Sequence, residues 1–149
     1  MPAAPSYGFC MYHDQLYAKT TLSQEFADAR WVVRAKVTAA DDHWSDDDES
    51  WTIYHLAVLT AFKGTPPSGL RLFTYRDSGG FYLDKGMSND LGGEYLLFIN
   101  PINSKQKVPT AARGATWVNY ACGQSKPWAD VSSRELIALR SLVHPASRS

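Results

Sequence analysis

Apolar and polar positions alternate most clearly from Trp31 to Thr38, with Trp31, Val33, Ala35 and Val37 on one side and Arg34, Lys36 and Thr38 on the other. A period of two marks a half-buried strand. Trp51 to Phe62 is rich in β-forming residues, but its alternation slips near the middle, which predicts a bulge in a long, bent strand. Lys63-Gly-Thr-Pro-Pro67 ends that strand, and Leu70–Tyr75, Glu94–Asn100 and Thr116–Tyr120 supply three more. Two segments carry the helical period instead. Thr21-Leu-Ser-Gln24 has the form of a capping box, with Leu22, Phe26 and Ala29 on one face. Ser132-Ser-Arg-Glu135 is a second one, opening a helix with the stripe Leu136, Leu139, Leu142 and Val143 that His144-Pro145 ends.

Residues 1–20, with Pro2, Pro5 and Gly8, show no clear period and read as an extended N-terminal segment. Ala40 to Ser50 reads as a loop and 146–149 as a tail. Five strands and two short helices without a strand–helix–strand rhythm predict an all-β barrel or sandwich, a single domain over 21–145.

Composition changes this picture little. At 149 residues, 44% hydrophobic and 20% charged, the chain has enough apolar surface for a core, and its 19 aromatics exclude general disorder. No apolar run approaches the roughly 20 residues a membrane-spanning helix needs. Charge is more informative. The net charge is zero, yet Asp41, Asp42, Asp46, Asp47, Asp48 and Glu49 are concentrated in one stretch, and the fifteen basic residues against the nine other acids leave the rest at +6. From Pro101 onward Lys105, Lys107, Arg113, Lys126, Arg134, Arg140 and Arg148 face only Asp130 and Glu135. That bias is weaker than the dense clusters that bind phosphate backbones, so nucleic acid is not expected as the principal partner.

Candidate chemistry is sparse. The acidic stretch 41–49 has the carboxylates for calcium but not the ligand order of an EF-hand loop, and a solvated loop accounts for it. Asp77-Ser78-Gly79-Gly80 echoes the nucleophile loop of chymotrypsin-like proteases, but Arg76 and Phe81 replace the flanking Gly and Pro. His13, His43, His55 and His144 are scattered, and His55, lying within a strand, reads as a cross-strand partner. No Gly-x-Ser-x-Gly elbow, phosphate loop or HExxH helix occurs. The expectation is therefore a protein without catalytic residues, bound metal or cofactor. The strand aromatics Trp31, Trp51, Tyr54, Phe73, Tyr95, Phe98 and Trp117 have two readings: a ligand-stacking platform for carbohydrate or single-stranded nucleic acid, or core and the layer beneath the helices. Without a basic groove in the sequence, core is the expectation.

Cys10 and Cys122 are the only cysteines. They would pair in an oxidising compartment, where a loop of this length contributes about 4–5 kcal/mol in the chain-entropy account, and would be two small core residues in a reducing one.

In order along the chain, Cys10, Phe26-Ala-Asp-Ala-Arg-Trp-Val-Val-Arg-Ala-Lys-Val37, Val58-Leu-Thr-Ala-Phe-Lys-Gly64, Gly93-Glu-Tyr-Leu-Leu-Phe98, Ala121-Cys-Gly123 and Glu135-Leu-Ile-Ala-Leu-Arg140 form a set of landmarks. Together they resemble the bacterial branch of the tissue inhibitor of metalloproteinases family, netrin-like modules on an OB-fold. The resemblance spans roughly residues 10 to 142. It implies a five-stranded Greek-key OB-like barrel with a short N-terminal helix and a C-terminal helix packed on it. It also implies a protein exported to the periplasm or beyond after loss of a signal peptide, with Cys10 and Cys122 in a disulfide. The implied function is a non-enzymatic protein-binding module whose partner contacts include Cys10, Met11 and Tyr12, a metalloprotease being one candidate partner. Three departures bear on inhibition. Nine residues precede Cys10, so its nitrogen, unless processing removes them, is an amide rather than the zinc-chelating α-amine of the animal inhibitors. Tyr12 stands where a second cysteine would be, and the mid-chain cysteines are missing, with Gly79 and Gly80 in that neighbourhood. Strong protease inhibition is accordingly not expected. The alternative function is an OB-fold ligand-binding module for carbohydrate or single-stranded nucleic acid.

Overall fold

The structure is a computed structural model that describes residues 9–12, 15–18, 21–45, 50–76, 81–118 and 123–143. Five strands close into a barrel: β3 (Trp31–His43), β4 (Trp51–Lys63), β5 (Arg71–Tyr75), β8 (Glu94–Pro101) and β9 (Thr116–Val118). The pairing runs β8-β3-β4-β5-β9 and returns from β9 to β8, antiparallel throughout except for the parallel β5–β9 contact. This is the expected Greek-key OB-like barrel with its two helices, α1 (Leu22–Asp28) and α2 (Ser133–Val143). Closure leaves the central strands with no open edge. Three short elements complete the described sheet structure: hairpins β1 (Phe9–Tyr12)–β2 (Gln15–Ala18) and β6 (Asp84–Lys85)–β7 (Ser88–Asn89), and β10 (Lys126–Pro127) beside β8.

The irregularity expected in the second long strand is present. Along β3–β4 the register skips Leu59 between Ala35↔Val58 and Arg34↔Thr60, skips Phe62 near Val33↔Ala61, and skips Thr38 on the β3 side. Each bulge adds local twist, which lets two 13-residue strands wrap around a small barrel. One expectation is corrected: β3 continues through Asp41 and Asp42 to His43, because these residues pair with Ile53, Thr52 and Trp51 of β4, so the loop does not begin at Ala40. Within the N-terminal segment, 9–12 pairs antiparallel with 15–18.

The barrel interior is filled from all the long strands by Val33, Ala35, Val37, Tyr54, Leu72 and Leu97 together with their neighbours. Two separate layers cover the outside. Val32, Leu96 and Phe98 point outward beneath Leu22, Phe26, Trp128, Val131 and Leu139. This is why β8 reads as a continuous apolar run, since both of its faces are buried. On the other side Ile53 and Phe73 lie under Ala112, Ala115, Ile102 and Val108. Of the aromatics expected in core, Tyr54, Phe73, Tyr95 and Phe98 are buried, Trp31 and Trp51 pack against the core partly buried, and Trp117 is 39% exposed.

Both capping boxes form. Thr21 Oγ1 accepts from Gln24 N–H, and Ser132 Oγ from Glu135 N–H while Ser132 N–H donates to Glu135. α1 carries no basic residue in its last turn, and Lys63 from β4 supplies one, donating to the carbonyls of Phe26 (2.6 Å) and Ala27 (3.1 Å). The next residue, Gly64, turns the chain at φ +74°, and a Cβ there would meet Arg30 O at 2.9 Å.

Candidate functional site

At one end of the barrel a polar cluster is assembled from four separate segments. Tyr54 and Thr52 point inward from β4, Asp42 comes from the end of β3, Arg76 follows β5, and Asp84 and Asn89 belong to the β6–β7 hairpin. Arg76 is the hub. Its guanidinium donates to Asp84 Oδ2 at 2.7 Å, Asp84 Oδ1 at 3.0 Å, Asn89 Oδ1 at 2.8 Å and Thr52 Oγ1 at 2.9 Å. Thr52 in turn donates to Asp42 (2.6 Å), which also accepts from Asn89 Nδ2 (2.9 Å). Tyr54 donates to Asp84 (3.1 Å) and accepts from Leu83 N–H (3.1 Å).

The Arg76 side chain is only 9% exposed, and buried charge requires partners of this kind. Its bidentate bond to Asp84 pushes its pKa above the ordinary arginine value. Burial pushes the Tyr54 and Tyr95 hydroxyls well above the usual phenol range, and the hydrogen bond of Tyr95 to Asp90 adds to its shift. These phenols stay protonated and act as donors. With these donors and acceptors engaged, the cluster clamps the hairpin to the barrel.

What the clamp presents outward is apolar and aromatic. Arg76 lies 4.6 Å from the ring centre of Tyr82 and 5.6 Å from that of Trp44. Trp44 is 66% exposed, and Met87, in the turn of the clamped hairpin, is fully exposed. Large apolar side chains held outward on a fixed frame are the usual makings of a contact surface.

The candidates from sequence fall partly within the described structure. Backbone strand β1 contains Cys10, Met11 and Tyr12, but their side chains, together with Cys122, lie outside the described residues. So do Asp46, Asp47, Asp48 and Glu49 of the acidic stretch and Asp77-Ser78-Gly79-Gly80. Next to Cys122, however, Gly123 is closely held. The buried Glu25 of α1 accepts from Gln124 N–H at 2.7 Å, and its carboxylate occupies the space a Cβ on Gly123 would need. His55 pairs across the strands with Asp41 at 2.7 Å. Among the described residues no group of three His, Cys, Asp or Glu is placed to hold a metal, and no helix is long and apolar enough to cross a membrane.

Sequence reasoning missed Arg76, Asp84 and Asn89. Lys85-Gly86, with Gly86 at φ +67°, was the available hairpin signal. No protein-family model matches the chain, and no curated protein matches it.

Proposed function

We propose that the protein is a non-enzymatic binding module that meets a protein partner through the barrel end framed by Arg76. The observation that supports this most is the exposure of Trp44 and Met87 on a frame whose polar groups are already satisfied. Aromatic and Met side chains are enriched in interface cores, and a frame fixed in advance reduces the ordering cost of association. The resemblance to the tissue inhibitors of metalloproteinases supports the same class of partner. It also supports export from the cell and a Cys10–Cys122 disulfide.

Strong inhibition of a zinc protease is not part of this reading. An amide nitrogen at Cys10 is neither basic nor free to enter a metal's open coordination position. The full chain should leave a zinc metalloprotease essentially uninhibited, and nanomolar inhibition by it contradicts the reading.

The direct test is capture of a protein from extracts of the producing cells on the immobilised chain, with Trp44→Glu/Met87→Glu as the comparison. Both positions are exposed, so the substituted chain should fold. Selective retention by the parent is the expected result. Equal retention by the two, or retention by neither, contradicts it.

A further inference from the structure

A second surface has what the Arg76 end lacks, namely donors without partners. Alternate positions on the outer face of β4 and β5 carry Trp51, Ile53, Phe73 and Tyr75. Segment 102–115 packs over Ile53 and Phe73, and Trp51 beside them is only partly buried. Between the segment and the barrel lies an open groove of about 850 Å³, with His43, Trp51 and Tyr75 on the barrel side and Lys105, Gln106, Lys107 and Arg113 on the loop side. That volume is in the range of small-ligand sites.

The loop wall is held in place by the fold. Asn103 N–H donates to Gln106 Oε1 (2.7 Å), Tyr75 donates to Lys107 O (3.2 Å), and Arg71 donates to Ala111 O (2.9 Å) and Arg113 O (2.7 Å). Within this wall the Gln106 amide is half used. Its oxygen is bonded, whereas its Nε2 is buried with no acceptor among the described residues. Buried donors are seldom left so, because the group loses its hydration and gains nothing in return. Lys105, Lys107 and Arg113 make no ion pair with a described residue, and no described Asp or Glu lines the groove.

We infer that this groove binds an acidic saccharide, a short chain of sugar rings that carry carboxylates. The three cations match carboxylates spaced along such a chain. Tyr75 with Val108 offers apolar surface to the C–H face of a ring. A single strand of nucleic acid fits less well. His43 already stacks on Trp51 with ring centres 4.9 Å apart, and Phe73 lies 6.1 Å away on its flank, so this indole is no platform for a base. The inference is independent of the protein-binding surface at Trp44 and Met87.

The test is a tryptophan-fluorescence titration of the full chain at low salt with tetragalacturonate, maltotetraose and an oligothymidylate. The expected result is saturable binding of tetragalacturonate alone. Lys107→Gln/Arg113→Gln, on exposed side chains, should weaken binding by roughly tenfold or more, with the melting temperature little changed. No saturation, equal binding of maltotetraose, tighter binding of the oligothymidylate, or unchanged affinity in the variant each overturns the inference.

Discussion

The Arg76 end and the β4–β5 groove are both polar, both built from segments distant in sequence, and close together on one barrel. They differ in how far their hydrogen bonding is satisfied. Around Arg76, the guanidinium, two carboxylates, two hydroxyls and an amide exchange bonds with one another. In the groove, three cations without an ion pair to a described residue line open space, and the Gln106 amide nitrogen in the same wall is buried without an acceptor among the described residues. The difference separates a cluster that holds the fold from one that the fold holds ready. Stability should depend on the first and hardly at all on the second.

The largest expected effect follows from removing the hub. Arg76→Met leaves Asp84 and Asp42 without their cation and should cost about 3 kcal/mol, close to 10 °C in melting temperature, read by urea and thermal unfolding. A similar mechanism operates on the helical side. Gly123→Ala sets a methyl group against the buried Glu25 carboxylate and should cost about 2 kcal/mol, checked by the same melts. Tyr54→Phe removes one donor to Asp84 and the acceptor of Leu83 N–H, for about 1.5 kcal/mol.

The smallest effect concerns Glu135. Against the upward push of burial, Lys126 and the Ser132 N–H hold its carboxyl below the usual value. A carboxyl depressed in the folded state stabilises at pH above its unfolded value, and that contribution is lost as pH falls through the folded pKa. Stability should thus decline below about pH 4.3, by well under 1 kcal/mol for this partly exposed pair. In Glu135→Gln that part of the acid decline should be missing, as denaturant melts across pH 3–5 would reveal.

Legibility from sequence followed the range of the interactions. The alternation in Trp31–Thr38, the slip in Trp51–Phe62 and both capping boxes are local patterns, and each formed where expected. The two-sided burial of Leu96 and Phe98 with Leu97 was legible as an apolar run, though not which face met the helices. Arg76 could not be read this way. Its partners lie 8 to 24 residues away, and Asp42 meets Asn89 across 47. Lys105, Lys107 and Arg113 were visible as a mild positive bias, but the groove they line exists only because segment 102–115 packs on Ile53 and Phe73. The unpaired nitrogen of Gln106 has no sequence signature at all.

The contrast between the two clusters is most directly tested by nuclear magnetic resonance of side-chain N–H groups during addition of tetragalacturonate. The Gln106 Nε2 protons and the Trp51 indole N–H should shift with increasing ligand, while the Nε–H of Arg76 keeps its position because all its bonds are already made. A shift at Arg76 with none at Gln106 would contradict the account.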